Sequence, residues 1–232
     1  MNKIIRIKKC FTAFTLAEVL VTLGIIGVVA AMTLPAVIDN SRNKQLETAF
    51  KKSYSVLLQA LDMYYAEEGV KLTPQNCKGR DFKPSLMKYI LTAKDCGFSM
   101  NGAAERGCLP NTGGSYKNFV GTKAIGTGSI DDGQFVINDG SLILLESGSG
   151  ELWITVDVNG YNKSPNRWGF DLFTFQINNE GTLLPMGAKG THFEDITHNL
   201  CSPTNFINDS ANGITCAFRA INEKDYFKNL QR

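Results

Sequence analysis

Residues 14–38 read FTLAEVLVTLGIIGVVAAMTLPAVI, and Glu18 is the only charge among them. Residues 19–38 are twenty uncharged positions, close to the ~20 that a helix rising ~1.5 Å per residue needs to cross a hydrocarbon core. Lys3, Arg6, Lys8 and Lys9 precede the run and Asp39 follows it. The positive-inside rule then puts the N-terminus in the cytoplasm and the remainder outside. A cleaved signal peptide would have an apolar core of about 7–15 residues ending in a small-x-small site. This run is longer and flows into a helical pattern, so it reads as a retained membrane helix. Gly24, Gly27, Ala30 and Ala31 give it a small-residue surface that permits close helix packing. Pro35 removes a backbone donor and is expected to kink the helix.

Beyond Pro35 the pattern turns amphipathic. Leu46, Phe50, Tyr54, Leu57, Leu61 and Tyr65 recur at three- and four-residue steps, with Lys51, Lys52, Gln59 and Asp62 between them. Gly69 is the expected stop. The two stretches together predict one helix of about 50 residues, roughly 75 Å long at ~1.5 Å per residue. The apolar stripe of its second half needs a sheet to cover it. Candidate strands lie at 134–138, 142–146, 151–158 and 171–178, parted by Asp139-Gly140, the 147–150 SGSG run and Asn159-Gly160. Short connections of this kind suggest an antiparallel meander. The fold class is therefore α+β, a long helix packed on a small antiparallel sheet. Residues 69–130 read as a connecting loop with a short helix over 84–93.

Composition sets the outer limits. The chain has 232 residues, 43% hydrophobic and 20% charged, a globular balance that excludes wholesale disorder. The four leader cations taken from 24 basic residues leave 20 against 22 acidic ones. No Lys/Arg cluster stands outside the leader, so nucleic-acid contact is not evident.

A carboxylate in an apolar run is costly to insert and is a functional candidate by default; the plainer reading of Glu18 is snorkelling to the headgroups. Lys8-Lys9, then residues 13–20 as AFTLAEVL, then the apolar run and Pro35, resemble the N-terminus of prepilins. That family comprises type IV pilins, type II secretion pseudopilins and competence pseudopilins. The resemblance implies that a membrane prepilin peptidase cuts between Ala13 and Phe14 and N-methylates Phe14. The family usually has Gly before the cut, where this chain has Ala13, another small residue. It further implies that Glu18 pairs with the terminal amine of a neighbouring subunit during filament assembly. The implied partners are that peptidase, other copies or homologous pilin subunits, and an inner-membrane assembly platform. The implied architecture is pilin-like: a leader at 1–13, an assembly helix at 14–38, its amphipathic continuation at 39–69, and an exported head at 70–232 with a sheet at about 134–185.

Cys10 leaves with the leader, and Cys77, Cys96, Cys108, Cys201 and Cys216 remain on the exported side, where disulfides persist. Cys201 and Cys216 resemble the C-terminal disulfide loop of many pilins. Cys77 with Cys96, or Cys96 with Cys108, are the alternatives for the long loop. No CxxC is present, which argues against zinc. Asp157, Asn159 and Asp171 crowd oxygen ligands around one turn, similar to the calcium loop of type II secretion major pseudopilins. The same residues also suit turns in which Asp and Asn side chains cap their own backbone.

His192 and His198 are the only histidines and form no HExxH; neither a GxSxG elbow nor a Walker A loop is present. The expected function is therefore that of a structural filament subunit, not an enzyme. The alternative is a membrane-anchored extracellular binding or adhesive domain that never polymerises.

The mature chain is expected to begin at an N-methylated Phe14, without Lys3, Arg6, Lys8 and Lys9. Intact mass of membrane-extracted protein checks this, and a mature chain still starting at Met1 contradicts it.

Overall fold

The computed structural model describes residues 15–109, 116–148 and 150–230. The chain divides into two units, one ending at Arg42 and one running from Asn43. Helix α1, Leu16–Glu68, is 53 residues long, contains Pro35, and contributes to both.

In the first unit the apolar side chains of α1 bury against nothing. Leu16, Leu20, Val21, Leu23, Ile25, Ile26, Met32 and Val37 are all exposed. This is the one helix among the described residues that is long and apolar enough to cross a membrane. Apolar surface on all sides suits lipid or neighbouring helices, not a one-sided core.

From Asn43 onward α1 buries a single stripe: Asn43, Leu46, Phe50, Ser53, Leu57 and Ala60. The stripe runs slightly to one side of the one read from sequence. Tyr54 and Leu61 pack only partly against the core, and Tyr65 is exposed. Ser53 and Ala60 take the centre because small side chains let the helix backbone approach the sheet, while the larger residues flank it. Gly69, at φ +72°, ends the helix, its N–H donating to Tyr65 O at 3.0 Å. A left-handed residue after the last turn favours Gly.

The sheet is a six-stranded antiparallel meander in sequential order. Its strands are β1 Thr92–Asp95, β2 Gly133–Ile137, β3 Leu142–Glu146, β4 Leu152–Asp157, β5 Leu172–Ile177 and β6 Leu183–Pro185. The four central strands lie where the alternation and turn residues put them. The edge strands are additions. Where a helix over 84–93 was expected, α2 is only Phe82–Met87, and Thr92 onward belongs to β1. Most of β1 is exposed and its ladder to β2 shifts register between Thr92 and Lys94, so its sequence carries no apolar alternation to read.

Both faces of the sheet are covered. Phe135, Ile143, Leu145, Ile154, Val156, Phe173 and Phe175 share a core with the α1 stripe. Phe50 is the hub, with ring centroids 4.5 Å from Phe173, 5.6 Å from Phe227 and 6.0 Å from Phe175. The C-terminal segment joins this core through Phe227 and Leu230, and Asn43 Nδ2 donates to Leu230 O at 3.4 Å. The opposite face carries Leu142, Leu144, Trp153 and Leu172, which pack under Tyr116, Trp168, Leu200 and Ile214. It also carries polar residues that bond each other: Thr155 and Thr174 hydroxyls lie 2.9 Å apart, and Trp168 Nε1 donates to Thr174 Oγ1 at 3.1 Å.

Truncating Phe50 to Ala removes the ring shared by helix, sheet and C-terminal segment, and is expected to cost about 3–5 kcal/mol. Leu58→Ala, at a part-exposed position, is expected to cost under about 1 kcal/mol. Equilibrium chemical unfolding of the two variants checks this; equal losses contradict the placement of the core.

Candidate functional site

The first described turn of α1 gives Glu18 its local setting. Thr15 N–H donates to Glu18 Oε2 at 2.8 Å, and the Thr15 hydroxyl lies 2.8 Å from the same oxygen. Glu18 N–H returns a bond to Thr15 Oγ1 at 3.2 Å. This reciprocal pattern, Thr followed three residues later by Glu, is a capping box that satisfies two otherwise unpaired donors. The helix dipole also favours a carboxylate there. Glu18 Oε1 has no hydrogen-bond partner among the described residues. The T-x-x-E spacing was legible in the sequence; the expectation for Glu18 rested on its being a lone charge and on the resemblance. Ala13, Phe14, Cys10 and the leader cations lie outside the described residues.

Along the same helix, Thr22 and Thr33 hydroxyls donate to Val19 O and Val29 O at 3.0 and 2.9 Å. Those bonds turn polar side chains back onto their own helix and leave an apolar surface. A Cβ built at Gly24 or Gly27 meets nothing within 4 Å, so both glycines open shallow hollows on that surface.

Four of the five cysteines among the described residues are paired. Cys96 bridges Cys108 across α3, Met100–Glu105, and Cys201 bridges Cys216 at the start of α5, Cys216–Asn222. Cys77 is a free, buried thiol that burial pushes up. Its Sγ donates to the Ser85 hydroxyl at 3.9 Å.

Asp157 and Asp171 meet at the ends of the long β4–β5 connection, both fully buried. Asp157 Oδ1 accepts from Gly160 N at 2.9 Å and Asn159 N at 3.3 Å, the pattern of an Asx turn. Its Oδ2 accepts from the Tyr116 hydroxyl at 2.8 Å. Asp171 accepts from Arg167 N at 2.7 Å and Asn166 N at 2.8 Å, and the Asn159 side chain also bonds it. Burial first, then the charge of Asp171, holds Asp157 well above the usual carboxylate range, while burial pushes Asp171 up to about 6. Gly160 stands at φ +81° with a virtual Cβ 2.3 Å from Gly140 O, so only glycine fits this turn. Asn159 Oδ1 and Asn166 Oδ1 are buried without partners among the described residues. The polar side chains of this loop offer oxygen donors only, the type that suits Ca²⁺, and backbone N–H groups and the Tyr116 hydroxyl already bond every carboxylate oxygen.

The histidines lie apart from this loop. His192 Nδ1 is 2.9 Å from Glu151 Oε2, and His198 Nδ1 is 3.2 Å from Glu194 O.

Residues 8–34 match the family described as the prokaryotic N-terminal methylation motif, the signature of type IV pilins and pseudopilins. The match covers the end of the basic leader and most of the apolar run. No curated protein and no solved structure matches the chain.

Non-reducing peptide mapping of the exported protein is expected to find Cys96–Cys108 and Cys201–Cys216 linked, with Cys77 alkylated only after unfolding. Rapid labelling of Cys77 in the folded chain, or any Cys77 disulfide, contradicts this arrangement.

Proposed function

We propose that this chain, which carries the methylation motif of a pilin-type precursor, matures into a structural subunit of a type IV pilus or type II secretion-like filament. In this reading a prepilin peptidase removes residues 1–13 and methylates Phe14. Residues 14–38 then lie in the inner membrane, with the leader side cytoplasmic and the head, from residue 70, exported. Assembly on an inner-membrane platform moves the helix from lipid into a bundle of like helices. The protein performs no catalysis in this account.

The observation that carries the reading is a carboxylate in the first turn of an otherwise apolar helix whose side chains bury against nothing in their own unit. One carboxylate oxygen is held by Thr15 and the other is left open. A neighbour's new terminal amine supplies the cation that an apolar layer demands, and pairing fixes the stagger between adjacent helices. Gly24 and Gly27 let those helices approach closely.

Calcium in the Asp157–Asp171 loop belongs to the same proposal. Asp157, Asn159 and Asp171 would hold the ion, and the same loop also carries the buried, unpartnered Asn166 Oδ1. The bound charge would offset two buried carboxylates, of which Asp157 is raised by burial and by the charge of Asp171.

Glu18→Ala is expected to leave processing and head stability unchanged and to reduce filament yield to little or none, with protein accumulating in the membrane. Shear fractionation and electron microscopy of cells carrying the variant check this. Wild-type filament yield contradicts the assembly role and favours an anchored domain that does not polymerise.

A further inference from the structure

The face of the sheet turned away from α1 holds a second concentration of acid, at the opposite end of β4 from Asp157. The antiparallel register sets Glu146, at the end of β3, directly opposite Trp153, near the start of β4. Gln134 on β2 is opposite Leu144, so it shares that face one step along from Glu146. Asp131 and Asp132 form the turn that leads into β2. Carboxylate oxygens from Asp131, Asp132 and Glu146 lie within 4.8 Å of one another, all three residues half-buried. Their hydrogen bonds are few. Gly148 N donates to Glu146 Oε1 at 2.8 Å, and Ser147 N and Oγ both reach Asp132 Oδ2 at 2.9 Å. Burial first, then the charges of Asp132 and Asp131, push the Glu146 carboxyl up to about 7.

Two further atoms beside this cluster lack partners for a separate reason. Gln134 is fully buried, and its Nε2 donates to Ile130 O at 2.8 Å. That bond ties the amide nitrogen to the residue just before Asp131, and Oε1 has no partner among the described residues. Trp153 is 8% exposed, and its Nε1, on the side chain set across from Glu146, also has none. A buried amide oxygen and a buried indole N–H each lose hydration on folding and normally recover it in a hydrogen bond. A cation satisfies the first, and a water held by that cation accepts from the second.

We propose that Asp131, Asp132 and Glu146 bind a hard divalent cation of the calcium class, with Gln134 Oε1 as a neutral ligand and an ion-bound water on the Trp153 indole. Every donor is oxygen, which selects Ca²⁺ over zinc or copper. Ligands drawn from an irregular turn and two strands suit the variable geometry of Ca²⁺ better than the strict octahedron of Mg²⁺. The ion ties the turn entering β2 to the end of β3 and offsets most of the charge that the three acids gather there.

Tb³⁺, an oxygen-seeking stand-in for Ca²⁺ that emits when a nearby tryptophan is excited, tests the site in the full-length protein in detergent. The expected result is saturable sensitised emission that Ca²⁺ displaces, that Trp153→Phe abolishes and that Trp168→Phe leaves in place. Asp131→Asn or Glu146→Gln should weaken binding by about tenfold or more. Each should also lose the rise in unfolding temperature that Ca²⁺ gives the parent protein. Unfolding of the metal-free variants, expected to remain cooperative, separates lost ligation from lost structure. Absence of saturable emission overturns the proposal. So does emission that survives Trp153→Phe but disappears with Trp168→Phe, because Trp168 shares the other loop with Asp171. Unchanged Tb³⁺ affinity in both Asp131→Asn and Glu146→Gln overturns it as well.

Discussion

The Glu18 carboxylate, set in the first turn of an apolar helix, constrains everything N-terminal of the head. It cannot be left bare in hydrocarbon, and its own turn satisfies only part of it: Thr15 takes one oxygen through its N–H and hydroxyl. The remaining demand is for positive charge in a layer where the described chain has none until Arg42. A membrane-embedded polymer of such helices answers that demand if each subunit offers an amino terminus at the same depth. In the proposed reading, cleavage before Phe14 would create that terminus and remove the leader cations in one step.

Helix α1 also has to serve two environments along one helix that runs through Pro35. Up to Arg42 it presents apolar side chains all round; from Asn43 it narrows to a stripe of small and apolar residues at alternating three- and four-residue steps. The stripe works because β2 to β5 present a continuous apolar face, centred on Phe173 and Phe175, to receive Phe50. Burying the other face as well demands hydrogen-bonded polar partners there, which the Thr155–Thr174 and Tyr116–Asp157 bonds supply. That second face is where carboxylates become buried and where oxygen-rich clusters collect.

The apolar run and the four central strands were legible because they depend on local periodicity and on turn residues such as Asp139-Gly140 and Asn159-Gly160. Strand β1 was not, since an exposed edge with a shifted register leaves no alternation in its sequence. The exact stripe of α1 was displaced for a related reason. Large side chains such as Tyr54 score as core by pattern, yet close helix–sheet approach assigns the centre to Ser53 and Ala60. Cysteine spacing left two pairings open around Cys96, and only the fold brings Cys108 to it while sealing Cys77 under α2. The Asp131–Asp132–Glu146 cluster was invisible for a topological reason: the β2–β3 hairpin joins residues that the sequence keeps far apart.

A helical reconstruction of the assembled filament by electron cryomicroscopy tests the central claim most directly. The account predicts a core of packed α1 helices in which each Glu18 carboxylate lies within ion-pair distance of the Phe14 amine of a neighbouring copy. A filament whose α1 helices stand apart, or whose Glu18 faces solvent with no neighbour's amine beside it, would contradict it.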